Sequence, residues 1–257
     1  MVGKAIHMIN KAFMEELGNG RMESEMQDVY DELLHRDIPV ELFIGKRLVR
    51  RKLTLAKDTL VVGYVETILA ALQQLDISSP PTNDYPSSLQ PYFHRRIWKN
   101  TLQGLYNWLL EGNPPVFAKP DGRKKRFTGH VFQHMDDLQY TEGASKTTPI
   151  WCSEVVDWLS EYRVFVINGE MVGIQHYAGK PEISINEQIV IDALSLFEKS
   201  DEVTAAYALD FGVSVDGNTA LVEWNDGFSL GSYGLDKKLY TDLLIARWVE
   251  IVGQSST

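Results

Sequence analysis

Residues 206–225, AYALDFGVSVDGNTALVEWN, organise the rest of the chain around them. Two β-prone runs flank the turn dipeptide Asp216-Gly217, so the segment predicts a hairpin. Asp210 ends the first run, six residues before Asp216; Glu223 lies on the second run, six residues after Gly217. Closing the hairpin sets Asp210 opposite the Glu-Trp-Asn segment, and strand alternation puts Glu223 and Asn225 on one face. Three oxygen-bearing side chains then converge beside an apolar face. Such hard donors suit Mg²⁺ better than zinc or an all-protein calcium cage. The same trio would also serve as a solvent-facing polar stripe, and the hairpin alone does not separate the two readings.

Upstream, IWCSEVVDWLSEYRVFVINGE (residues 150–170) predicts an apolar strand running into Ser153-Glu154-Val155-Val156, then a turn and a second strand. Asn168-Gly169 marks another hairpin turn. Glu161 and Arg163 share a face by alternation: Arg163 could meet a phosphate or carboxylate bidentately, or pair with Glu161 as an ordinary ion pair. Backbone groups of residues 153–156 could face a planar base. Further upstream, VFAKP ends in Lys119, and KPDGRKKR (residues 119–126) sets Lys119, Arg123, Lys124, Lys125 and Arg126 against Asp121 alone. A flexible basic loop leading into FTGHVF could close over a triphosphate, or be basic for solubility.

The amino-terminal third differs. Residues 21–36 carry Met22, Met26, Val29, Tyr30, Leu33 and Leu34 at helical spacing; PVELFIG and TLVVG predict short strands; and Val65, Ile68, Leu69, Leu72 and Leu75 form one helical face. This is an α/β unit. SSPPTNDYPSSLQP (residues 78–91), with four prolines, predicts a linker. A helix is expected over residues 93–110, with Arg95, Arg96 and Lys99 on its solvated face, although Arg96 could recruit a substrate carboxylate. Two short helices are expected at residues 186–198 and 237–251.

Composition bounds the possibilities. The 257 residues are 44% hydrophobic and 23% charged, enough for a large core and too apolar for a disordered chain. No apolar run approaches the roughly 18 residues of a membrane span, and the first twenty residues lack a secretory cleavage pattern. A cytoplasmic protein is expected. The single cysteine, Cys152, excludes an intramolecular disulfide and fits a packing role. His130, His134 and His176 show no metal-ligand spacing, although His176 and Tyr177 could contact substrate. Net charge is −10, so binding nucleic acid through the basic run Lys46, Arg47, Arg50, Arg51 and Lys52 is disfavoured.

In order, VFAKP, a basic loop ending FTG, SEVV, EYRVFV, YALDFG and LVEWNDG resemble the ATP-grasp superfamily. The likeness is to small stand-alone RimK-like members of an R-x-K type clade, over residues 92–252. The resemblance implies an α+β ATP-grasp fold, with antiparallel sheets and flanking helices, over residues 92–257, preceded by a small α/β domain and linker over residues 1–91. It implies ATP and Mg²⁺ as cofactors and an ATP-dependent carboxylate–amine ligase. Lys119 and Lys125 would meet the phosphates, with Lys124 and Arg126 as alternatives on a lid shorter and more basic than the family's usual one. Glu154, Val155 and Val156 would form the adenine hinge, Glu161 the ribose-binding acid, and Asp210, Glu223 and Asn225 the metal ligands; Arg163 would lie near the acyl phosphate. Small-molecule or peptide acids and amines are the expected partners, with neither nucleic acid nor membrane. A kinase-like use of the site, or a regulatory module without turnover, stays open.

Overall fold

The computed structural model describes residues 8–122 and 126–253. Its first unit is built on β1 (Lys11–Glu15), which the sequence pattern did not reveal. β1 lies between β2 (Val40–Phe43) and β3 (Thr59–Val62), and both pairings are parallel. Parallel neighbours need crossovers; α1 (Ser24–His35) and α2 (Gly45–Val49) supply them, and α3 (Val65–Gln74) follows β3. All three helices end on a left-handed residue, Asp37, Arg51 and Asp76 respectively. In each case the next amide returns to the last turn (Ile38 to Leu33, Lys52 to Arg47, Ile77 to Leu72). This C-cap satisfies orphan carbonyls and turns the chain back toward the sheet.

β1 ends in Glu15, whose carboxylate lies under the two turns that start α2 and α3. A Cβ at Gly63 would stand 2.7 Å from Glu15 Oε2, and one at Gly45 would stand 2.5 Å from Oε1. Both positions therefore exclude a side chain for as long as Glu15 stays there.

The rest of the chain forms two antiparallel sheets. One has the order β4 (Ile97–Thr101), β7 (Pro149–Glu154), β5 (Val116–Pro120), β6 (His130–Phe132). The other has the order β11 (Thr219–Asp226), β10 (Ala206–Ser214), β8 (Trp158–Ile167), β9 (Glu170–Gly179). The helix expected over residues 93–110 is half strand: Ile97–Thr101 pairs with β7, and only α4 (Leu102–Leu110) is helical. Thr101 makes the switch, its hydroxyl accepting the Gly104 amide as an N-cap. The β8–β9 turn has both Asn168 and Gly169 at positive φ, as a two-residue type I′ turn requires. The β10–β11 turn is longer, with only Gly217 left-handed and its amide bonded to Ser214 O.

The large sheet is covered differently on its two faces. Tyr207, Leu209, Phe211 and Val164 pack with α5 (Glu187–Phe197) in one core. On the other face, Phe165, Ile167, Ala206 and Ala208 join a core with α6 (Lys237–Gly253) and the amino-terminal sheet. α6 begins where expected and runs two residues further, to Gly253; it is buried from Tyr240 through Trp248, and Arg247 grips Asp226 at 2.6 and 2.9 Å.

Residues 78–91 are packed rather than a free connector. Tyr85 and Leu89 are buried, and Asp84 O accepts the Trp224 amide. Glu202 gathers Asn83, Ser87 and Ser88 through five hydrogen bonds. Burial opposes its ionisation, but these donors hold its pKa below the ordinary glutamate value of 4.5. A depressed carboxylate contributes stability above its unfolded pKa and loses it as pH falls through the folded value. Glu202→Ala is therefore expected to lose about 2 kcal/mol in urea unfolding at pH 7, with the gap to the parent protein closing below about pH 4.5.

Candidate active site

α6 covers only part of its sheet face. Beyond Phe165 and Ala208, the same face turns polar: Arg163 on β8, Asp210 on β10, and Glu223 and Asn225 on β11. Asp210 pairs directly with Glu223 and with Arg163 in register, as the hairpin spacing predicts. A cleft of 540 Å³ opens over this polar half. It is bounded opposite by Phe117, Lys119 and Pro120 of β5, and by Gly122 and residues 127–129 of the basic loop.

Lys119 crosses the cleft. Its ammonium donates to Glu223 Oε2 and lies 2.9 Å from Asp84 Oδ2 and 4.6 Å from the Tyr85 ring centroid. Burial works against the charge, yet Glu223, Tyr85 and Asp84 outweigh it and hold the lysine pKa above its usual value. Burial likewise disfavours a charged Glu223, and Lys119 reverses this, keeping the carboxyl below the ordinary glutamate range. Cation and carboxylate thus stay ionised together.

Arg163 and Asp210 form the second pair. Nε and one terminal nitrogen of the guanidinium donate to the two carboxylate oxygens at 2.8 and 2.7 Å, and both residues are buried. Burial pushes Asp210 up to about 6 in spite of Arg163, with Glu223 and Glu161 adding to the rise. Asn225 Nδ2 donates to Asp210 Oδ2 at 3.1 Å, so this amide presents its oxygen as its remaining donor atom for a metal. Glu223 and Asn225 line the cleft; Asp210 sits behind them, against Arg163. Two carboxylates and an amide suit a hard cation that keeps water ligands. Among the described residues, no group of three or more His, Cys, Asp or Glu side chains gathers into a metal cage.

Glu161 lies on the same side as Arg163; it accepts the Tyr177 hydroxyl at 2.9 Å, and burial raises its pKa. Tyr177 stacks on Tyr233 at 4.9 Å, and Tyr233 stands 4.7 Å from the Arg163 guanidinium, with a left-handed φ of 47°. Glu154 exchanges two bonds with Arg96, amide to carbonyl at 3.1 Å and carboxylate from amide at 2.8 Å. Glu154, Val155 and Val156 do not line the 540 Å³ cleft.

Of the lid candidates, Lys124 and Lys125 lie outside the described residues, as does Arg123. Arg126 is exposed, and Phe127 is buried against Phe132. Gly129 closes onto β5, since a Cβ there would meet the Phe117 ring at 2.7 Å.

Some expectations need correcting. Arg95 is not on a solvated helix: it donates to the carbonyls of Leu221 and Val222 at 2.6 and 2.7 Å, bracing β11. His176 packs on Tyr162, in register on the face away from Arg163, and is not part of the cleft. Asp84 and Tyr85 were missed because they sit among prolines and turn formers, where nothing in the pattern marks a pocket residue.

Arg163→Leu would leave a buried carboxylate unpaired. It is expected to cost about 3–5 kcal/mol in urea unfolding. The deficit should narrow as pH falls, because protonating Asp210 removes the unpaired charge.

A family model described as an ATP-grasp domain, R-2-K clade family 2, matches residues 92–243. Among solved structures, a D-alanine–D-alanine ligase from Bacillus anthracis complexed with ATP is 16% identical, with a TM-score of 0.55, covering 96% of this chain and 100% of its own. A RimK domain ATP-grasp protein from Sphaerobacter thermophilus is 16% identical, with a TM-score of 0.52, covering 91% and 99%. The macrocyclase MdnC from Microcystis aeruginosa, bound with its precursor peptide MdnA, is 11% identical, with a TM-score of 0.51 and the same coverage. At these identities the likeness concerns the fold. No curated protein matches in sequence.

Proposed function

Because the chain belongs to the ATP-grasp domains of R-2-K clade family 2, we propose that it is an ATP- and Mg²⁺-dependent ligase joining a carboxylate to an amine, with release of ADP and phosphate. We place the ATP-grasp domain at residues 92–257, after an amino-terminal α/β unit over residues 1–91. The observation that carries this reading is the single cleft in which Lys119, Glu223, Asn225 and Arg163 meet under the basic loop.

The chemistry follows from the charges. A carboxylate is a poor electrophile, so one of its oxygens must first bond to the γ-phosphorus as the bond to ADP breaks. The amine nitrogen then bonds to the acyl carbon, the carbon–oxygen bond to phosphate breaks, and the amine's proton is lost. Lys119 is placed to move from Glu223 to a phosphate oxygen and offset its charge; Lys125 is proposed to do so from the lid. Bound Mg²⁺ would neutralise charge on the transferring phosphoryl group, and Glu223 and Asn225, with Asp210 as third ligand, are proposed to hold it. Arg163, pinned by Asp210, would orient the acyl oxygen. Glu154, Val155 and Val156 are proposed to offer backbone groups to adenine, and Glu161 to bind ribose. Holding both reactants in one pocket supplies on the order of 7–11 kcal/mol of the barrier reduction. Small-molecule or peptide acids and amines are the proposed partners. Among the described residues no helix is long and apolar enough to cross a membrane, and the cytoplasm, where ATP is available, is the proposed location.

ADP release should require Mg²⁺, a carboxylate and an amine together. Glu223→Gln is expected to lower kcat by roughly 10²–10³-fold in protein that remains folded, though less stable for the loss of the Lys119 ion pair; undiminished ADP formation would refute the metal assignment. Lys119→Ala should weaken ATP binding by about tenfold or more, whereas Lys46→Ala, on exposed α2, should leave it unaltered. Calorimetric titration separates the two.

A further inference from the structure

A second cavity, of 290 Å³, adjoins the cleft and shares Val65 and residues 228–231 with it. It lies where β3 turns into α3, at the carboxyl edge of the parallel sheet, the edge at which open α/β sheets take their ligands. Its floor is apolar, from Met26, Val62, Phe228 and Leu244, and its charged groups are Glu25 and Glu66. Among the described residues, no lysine or arginine lines it. Two more carboxylates flank its Tyr64: Glu15 accepts the Tyr64 amide at 3.1 Å, and Glu23 accepts the Tyr64 hydroxyl at 2.9 Å. Glu25 also accepts the Ser232 amide at 2.8 Å, tying α1 to the loop that follows Asn225 and Asp226. The two joined cavities differ in charge. The larger one mixes the cations Lys119 and Arg163 with Asp84, Glu223 and Asp226, whereas acids alone supply the charge in its neighbour.

We propose that this cavity, with Glu25 and Glu66 as its charged end, binds the cationic tail of the amine substrate, which is a diamine or a basic amino acid. The proposal rests on the ligase reading above and names the class of amine that the reaction takes. An attacking amine must be neutral, whereas neighbouring carboxylates raise the pKa of an ammonium and keep it protonated. The group between Glu25 and Glu66 is thus not the nucleophile but a second cation that orients the molecule. An aliphatic stem over Met26 and Leu244 buries its methylenes on the apolar floor. The free amine then points across residues 228–231 into the cleft. A diamine or basic amino acid meets both demands, an acidic or purely apolar amine only one.

Calorimetric titration at fixed ionic strength, with Mg·AMPPNP present, tests this with 1,5-diaminopentane, and with L-lysine against its near-isostere L-norleucine. Wild-type protein should bind L-lysine at least tenfold more tightly than L-norleucine, and should bind the diamine. Glu66→Gln should weaken both cationic probes severalfold, and Glu66→Lys should abolish the preference, with Mg·AMPPNP affinity unchanged in each. Glu25→Gln should act similarly; if losing the Ser232 bond unfolds it, the two Glu66 variants carry the test. Protein that binds Mg·AMPPNP but does not distinguish L-lysine from L-norleucine overturns the cation site alone. Protein that fails to bind Mg·AMPPNP overturns the ligase reading and this inference with it. A lysine preference that survives Glu66→Lys also overturns the assignment.

Discussion

Lys119 stands on one sheet and Glu223 on the other, and their contact is the tie across the cleft. Each would be costly to bury alone, since a charge taken from water without a partner loses several kcal/mol of solvation. Paired, and joined by Asp84 on the lysine's other side, they leave a polar gap between two sheets instead of a fused core. In the proposed reaction the same pairing would link nucleotide to metal. A phosphate that draws Lys119 away leaves Glu223 facing negative charge, and a divalent cation relieves this. Either ligand should therefore favour the other, with a coupling that is reciprocal by thermodynamic necessity.

The position of the site follows from incomplete coverage. One face of the β11-β10-β8-β9 sheet begins as apolar floor, Phe165, Ile167, Ala206 and Ala208, buried under α6. Where α6 no longer reaches, the alternating positions change to Arg163 and Asp210. α6 is itself anchored by Arg247 on Asp226, one residue past Asn225. The helix that closes the core thus also sets the height at which the strand carrying Glu223 and Asn225 emerges from it.

Much of this was legible in order and spacing. The Asp210–Glu223 register came from counting out to a glycine turn, and Lys119 from an apolar strand that ends in a cation before proline. β1 was hidden because a central parallel strand needs only Ala12, Phe13 and Met14 to be buried on both faces, too few residues to show a period. β4 was absorbed into a helix because Leu102, Leu105 and Leu109 fall at helical intervals, and the apolar Ile97 before them extends that series whether or not the backbone turns at Thr101. The bond from Arg163 to Asp210 eluded local reasoning, which offered Glu161 on the same strand as partner. Cross-strand register with β10 decided between them. Asp84 is held at the site by groups far along the chain: the Trp224 amide on its carbonyl, and Glu202, which gathers the flanking Asn83 and Ser88.

Glu15 occupies the space that side chains at Gly45 and Gly63 would need, and from there it accepts the Tyr64 amide at the start of α3. That carboxylate thus holds the Gly63–Tyr64 turn that lines the smaller cavity, while Glu66 at the rim is exposed. Scaffold and selectivity are carried by different residues. A lineage could exchange rim charges to accept new molecules while Gly45 and Gly63 stay glycine for as long as Glu15 keeps its place.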